Sequence, residues 1–212
     1  MQPTICPTIT ADTPEEYNRQ MGRIEPFAQR IHVDVADGDF TINRLISLDR
    51  IWWRGNRTID LHMMYKFPSE HADIILALRP RLVIIHAESE GNFDWFSHVL
   101  HREGIEVGVA LLQRTPAESI LNALDNIDHV LVFSGNLGYQ GGSEADFDLL
   151  SKVQKIKAAK PTIEIGWDGG VNDQNAARLA EGGVDVLNVG GFIMNSENPL
   201  RQYRKLEIAL KS

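Results

Sequence analysis

Apolar and polar positions along the chain fall into short strand-like runs separated by stretches with helical marks. Runs of strand length occupy residues 4–10, 30–35, 58–65, 82–87, 106–112, 129–134, 162–167 and 184–189. Several of them, such as LVIIHA from Leu82 and HVLVF from His129, are almost continuously apolar, as a parallel strand covered on both faces must be. Between runs, Thr13-Pro14-Glu15-Glu16 supplies a cap, a first-turn proline and two acids matched to a helix dipole. Thr115-Pro116 repeats that start signal, and Asn172 opens the helical pattern NDQNAARLAEGG, which stops at Gly182-Gly183. Segment 40–57 has the weakest helical pattern; its Trp52-Trp53 pair is expected in the core, with a subunit contact as the alternative. Strands alternating with helical crossovers predict a parallel sheet. Eight repeats of the unit predict its closure into a single (β/α)8 TIM barrel with short loops, spanning residues 1–212 as one domain.

Composition narrows the class. A chain of 212 residues with 43% hydrophobic content can bury one sizeable core. A net charge of -8 with scattered Arg and Lys gives no basic stripe for nucleic-acid phosphates, so no nucleic-acid partner is expected. The single cysteine, Cys6, excludes an intramolecular disulfide, and MQPTICPTIT lacks the basic start and long apolar core of a secretory signal. With no apolar run of membrane-spanning length, the expectation is a cytoplasmic protein without a membrane partner.

Active sites of such barrels form at the carboxyl ends of the strands, which sorts the histidines by position. His71, His98 and His101 fall in helical stretches and read as solvated or packing residues, whereas His32, His62 and His86 fall in strands. Side chains alternate across a strand, so in IHVDVAD His32 and Asp34 share the inner face while Val33 and Val35 meet the helices. Polar side chains that deep are costly unless paired or bound to something. IDLHMMY adds His62 from the neighbouring strand, and IGWDGG adds Asp168 from the seventh. Mixed imidazole and carboxylate ligation by His32, Asp34, His62 and Asp168 suits one divalent cation, zinc, iron, manganese or cobalt. His86 and Glu88 share the same spacing on the fourth strand and are expected to orient those ligands by hydrogen bonds.

HVDVADGDF, DLHMM, IIHAE, FSGNLGYQGG, DGGVN and VGG, in this order, resemble the ribulose-phosphate 3-epimerase family over nearly the whole chain. The resemblance implies a (β/α)8 barrel that binds one catalytic divalent metal through two His and two Asp. It implies interconversion of D-ribulose 5-phosphate and D-xylulose 5-phosphate, and a homo-oligomer. Inverting a carbinol carbon beside a ketone needs an enediolate, stabilised by a Lewis acid, and one base on each face. By resemblance those bases are Asp34 and Asp168, with His62 also near substrate and Thr8 where the family commonly has a substrate-contacting serine. Gly138, Tyr139, Gly141 and Gly142 match the family's mobile loop over the substrate. Gly169 and Gly170, in a turn into the helix expected from Asn172, and Gly190 and Gly191 after the eighth strand, read as a phosphate cradle.

Departures from the family pattern concentrate around the substrate. Leu137 replaces a proline, Gln140 interrupts the glycine run, and Ala36, Asp39, Trp167 and Gly191 stand where a methionine, a histidine, a small aliphatic and a serine are usual. These positions are expected to affect substrate fit rather than proton chemistry. Two alternatives therefore stay open: a 3-epimerase of a hexulose 6-phosphate such as allulose 6-phosphate, and a phosphosugar-binding barrel without turnover. A decarboxylase or aldolase of the orotidine-phosphate type is disfavoured, because DVADGD and DLHMM carry no lysine.

Overall fold

The computed structural model describes residues 2–211. Among them, eight parallel strands close into a barrel in chain order: β1 (Thr4–Thr10), β2 (Arg30–Ala36), β3 (Thr58–Met64), β4 (Leu82–His86), β5 (Glu106–Leu111), β6 (His129–Phe133), β7 (Glu164–Asp168) and β8 (Val186–Val189). The α-helices are α1 (Pro14–Ile24), α2 (Ala72–Leu78), α3 (Phe93–Arg102), α4 (Leu150–Ala159), α5 (Ala176–Glu181), α6 (Gly191–Met194) and α7 (Pro199–Ala209). At α1, Thr13 accepts a hydrogen bond from the Glu16 amide, Pro14 follows it, and Glu15 and Glu16 fill the first turn. No helix among the described residues is long and apolar enough to cross a membrane.

Two expected helices differ. Between β5 and β6 the chain makes only 3-10 turns, Ala117–Ser119 and Leu121–Asn126, in place of the helix signalled by Thr115-Pro116. Ser119, Asn122, Asp125 and Asn126 compete with the backbone for hydrogen bonds, and the Ser119 hydroxyl donates back to the Pro116 carbonyl at 2.8 Å. After β7 the helix starts at Ala176 rather than Asn172, because two side chains turn the chain first. Asn175 Oδ1 accepts from the Asn172 amide at 2.9 Å, and Asn172 Oδ1 accepts from the Gln174 amide at 2.9 Å. Segment 40–57 holds a single 3-10 turn, Leu48–Arg50. Within it, Trp53 packs partly buried on the core, but Trp52 is 44% exposed, its indole donating to Asn18 Oδ1 at 2.7 Å, which corrects the expectation that both are core residues.

Strand parity divides the chain's chemistry. Outward residues such as Ile31, Val33, Val35, Leu61, Val109 and Val132 form the core between sheet and helices. Inside the barrel lies a small apolar plug of Leu82, Ile84, Ala110 and Leu131. At its amino-terminal end, Arg30 Nε donates to Asp60 Oδ2 at 2.7 Å while its two terminal nitrogens grip Glu164 at 2.9 and 2.7 Å. His129 Nδ1 meets the same carboxylate at 2.8 Å. Burial opposes a charge on Glu164, yet the hydrogen bonds from Arg30 and His129 hold its carboxyl far below the usual carboxylate range.

This network sets an acid limit on stability. A folded-state value below the ordinary 4.5 means that the contribution of Glu164 is complete above about pH 4.5 and is lost as pH falls through the folded-state value. Glu164→Gln, which leaves Arg30 short of a counter-charge, is expected to cost about 2 kcal/mol and lower Tm by roughly 4–8 °C at pH 8. Thermal melts followed by circular dichroism should show that difference shrinking below pH 4; a constant difference at all pH values refutes the assignment.

Candidate metal centre

At the opposite end of the barrel the inward parity of β2, β3 and β7 brings His32, Asp34, His62 and Asp168 together, each offering one ligand atom within 4.8 Å of the others. His62 Nδ1 stands 2.9 Å from Asp34 Oδ1, and His32 Nε2 stands 3.2 Å from Asp34 Oδ1 and 3.7 Å from Asp168 Oδ2. Bonds of 2.0–2.2 Å to a tetrahedral cation would separate ligand atoms by about 3.4 Å, and the separations of 2.9, 3.2 and 3.7 Å bracket that value. Both ring nitrogens of the fully buried His32 lack a hydrogen-bond partner among the described residues. A pair of orphaned imidazole nitrogens beside two carboxylates is the donor set of a cation site, and a poor one for an inert core.

The electrostatics agree. Burial, reinforced by the negative charge of Asp34, pushes the Asp168 carboxyl up to about 7. Asp34 moves the other way: burial disfavours its charge, but the His32 and His62 imidazoles beside it hold it far below the usual range. Burial also pushes His62 down to about 4, so that ring is a neutral ligand at physiological pH. For His32 burial is outweighed by the Asp34 carboxylate 3.2 Å away, and the ring titrates above its ordinary value. One cation among them would remove the conflict between two neighbouring carboxylates.

Around these four groups, His86 Nε2 lies 2.9 Å from His62 Nε2, and its Nδ1 faces Glu88 Oε2 at 3.5 Å. The Thr115 hydroxyl donates to Glu88 in turn. On the other side, the Thr10 hydroxyl donates to Asp34 Oδ2 at 2.6 Å, leaving Oδ1 for the imidazoles.

Above them opens a cavity of about 290 Å³, lined by Asp34, Asp168, Thr8, Met64, Phe133 and the glycine turns. Gly138, Tyr139, Gly141, Gly142, Gly169, Gly170, Gly190 and Gly191 all border it, Tyr139 at the rim with 62% exposure. The loop after β6 lies across the mouth. Gln140 Nε2 donates to the Thr8 carbonyl at 3.0 Å and to Gln20 Oε1 at 3.2 Å, and Gly141 packs on Gly191, where an added Cβ would come within 2.9 Å of the Gly141 Cα. Gly169 and Gly170, both at positive φ, are required first by the chain itself: a Cβ on either would lie 2.2–2.3 Å from the backbone of Ala145 or Gly135. Asn172 and Asn175 delay α5, so no helix starts directly at those glycines; the short α6 starts at Gly191 instead.

Two positions expected to shape the substrate site do not. Trp167 faces outward, fully buried in the sheet–helix core with its indole donating to the Gly169 carbonyl, and Asp39 is exposed away from the cavity lining. Conversely, Thr10 and Asn188 line the cavity and are not singled out by the sequence pattern. Thr10 carries a signal in its two-residue spacing from Thr8; Asn188 carries one as an isolated amide in the strand VLNV.

Comparison with known proteins bears directly on this centre. The model of the ribulose-phosphate 3 epimerase family matches residues 4–194. Ribulose-phosphate 3-epimerase from Helicobacter pylori is 33% identical over 187 residues, covering 85% of this chain and 84% of that protein. The Schizosaccharomyces pombe ribulose-phosphate 3-epimerase is 26% identical over 206 residues, covering 94% and 90%. Among solved structures, a 3-hexulose-6-phosphate synthase superposes with a TM-score of 0.75 over 97% of this chain and 99% of that one, and at 16% identity that likeness speaks for the fold alone. With a match spanning nearly every strand and the His32, Asp34, His62 and Asp168 cluster at the barrel mouth, the chain belongs to the ribulose-phosphate 3-epimerase family, whose relatives named here are isomerases acting on carbohydrates.

Proposed function

We propose that the chain is a metal-dependent ribulose-phosphate 3-epimerase that interconverts D-ribulose 5-phosphate and D-xylulose 5-phosphate. The observation that carries this reading is the convergence of two carboxylates, both facing the cavity, on two imidazoles, of which His32 has no hydrogen-bond partner for either ring nitrogen among the described residues. His32, Asp34, His62 and Asp168 would hold one divalent cation, which when bound supplies Lewis-acid stabilisation of developing negative charge on the substrate oxygens. Asp34 takes the C3 proton on one face, its Oδ2 held in orientation by Thr10 at 2.6 Å. Asp168 returns a proton to the opposite face, and the two acids exchange roles in the reverse direction. The loop from Gly138 to Gly142 excludes water from the reacting carbon, Thr8 binds the sugar, and the turns at Gly169-Gly170 and Gly190-Gly191 receive the phosphate.

The space beside Ala36 supports a pentulose over a hexulose. Ala36, Leu45 and Met64 form a buried cluster against which Phe40 and Leu137 pack, so the volume left by the small alanine is filled by the protein.

His86 acts as a positioning residue. With Nδ1 of His62 turned to the cation, the Nε2–H of that ring donates to His86, whose own Nδ1–H points at Glu88. His86→Ala is expected to weaken cobalt or zinc binding by roughly 10–100-fold in a chelator competition; unchanged affinity removes this role.

Asp34→Asn and Asp168→Asn should each slow exchange of the C3 proton of ribulose 5-phosphate with solvent by roughly 10²–10⁴-fold, with circular dichroism unchanged. Proton exchange followed by nuclear magnetic resonance tests this, and retained exchange in either variant contradicts the two-acid reading. Chelation should abolish exchange, and added divalent metal should restore it; full activity in metal-free protein would dismiss the metal.

A further inference from the structure

Asn188 is a buried amide that the protein leaves unsatisfied. It is 2% exposed and lines the cavity, yet neither Oδ1 nor Nδ2 has a hydrogen-bond partner among the described residues. Its neighbours Leu187 and Val189 pack outward in the sheet–helix core, so its own side chain enters the barrel. One step down the same face stands Val186, fully buried, which shows what this wall holds where packing alone decides. A buried amide with both atoms unpaired is destabilising, and such a group in a cavity wall indicates a bound partner.

A second orphan stands on the adjacent strand. The Thr8 hydroxyl, 2% exposed, also lacks a partner among the described residues. Cys6 of β1 pairs with Asn188, and Thr8 is two residues further along the same inner face. On the other side, Asn188 pairs directly with Asp168 and precedes the Gly190 turn by two residues. The amide thus lies between the acid that works on C3 and the turn assigned to the phosphate.

Resting on the epimerase reading above, we propose that Asn188 and Thr8 form the subsite for the C4 hydroxyl of the ketose phosphate, which makes Asn188 a specificity-determining residue. In a pentulose 5-phosphate, C4 is the one carbon between the epimerised centre and the phosphate-bearing carbon. A hydroxyl is both donor and acceptor. It can accept from Asn188 Nδ2 while donating to Asn188 Oδ1 or Thr8 Oγ1, and the amide on β8 beside the hydroxyl on β1 offers that complementary set.

The test is calorimetric titration of the metal-loaded protein with a pentitol 5-phosphate, an inert polyol, and with its 4-deoxy analogue. The unaltered protein should favour the polyol by roughly 10–100-fold, and Asn188→Val should reduce that ratio to within about threefold. Because the substitution removes an unpaired amide, its Tm should rise by roughly 2–6 °C, which a structural role for Asn188 would not produce. Asn188→Ser, with one hydroxyl in place of the amide, should give an intermediate ratio and serves if the valine variant does not fold. Equal binding of both compounds by the unaltered protein, or an unchanged ratio in the variants, overturns the subsite and leaves the epimerase reading standing. Failure of the unaltered protein to bind either compound overturns both.

Discussion

Closure of eight parallel strands into one ring fixes the parity of every strand residue, and the chemistry of the protein depends on that constraint. The outward set is apolar and covered by helices. A slip of one residue in any strand would drive that set into the barrel and expose charged groups to the helices. The register is therefore held by the core, and the core in turn decides which side chains face inward. His32 and Asp34 enter together because Val33 and Val35 cannot. Apolar burial outside the ring is what allows an interior so rich in ionisable groups.

That interior is layered along the axis. Arg30, Asp60, Glu164 and His129 neutralise one another at the amino-terminal end, the plug of Leu82, Ile84, Ala110 and Leu131 fills the middle, and the imidazoles and carboxylates occupy the mouth. In the lower layer Arg30 bonds both Asp60 and Glu164, and His129 bonds Glu164. In the upper layer the two acids are driven apart in proton affinity, and neither nitrogen of His32 has a hydrogen-bond partner among the described residues. Two like groups with divergent environments are the arrangement that proton-transfer sites use, whereas the lower layer carries its charges for stability.

The strands and the convergence of two His and two Asp were legible in the residue order because both rest on alternation, which is local. HVDVAD places His32 and Asp34 by parity alone, and the barrel follows from repetition of the unit. Alternation also assigns Trp167 to the outer face beside the inward Asp168, so the expectation that it shapes the substrate site had its correction in the same strand. What was not legible depended on contacts distant in sequence. Gly169 and Gly170 announce a close approach, but a glycine is silent about what approaches, and the nearest atoms belong to the loop after β6. After Thr115-Pro116 the chain makes 3-10 turns where a start signal predicts a helix, and the Ser119 side chain there bonds to the nearby backbone. Asn188 reads as an interruption of an apolar strand until the cavity beside it is seen.

Gln140 ties the loop after β6 to Thr8 and, through Gln20, to a side chain already engaged with both backbone groups of Thr10. The loop across the barrel mouth is thus latched to β1 and α1. On the epimerase reading, a sugar phosphate entering from bulk would have to wait for those amide contacts to break. Capture and release would then share one coordinate, the traffic of the loop, and the residue that interrupts the glycine run would act on turnover without touching the reacting carbon.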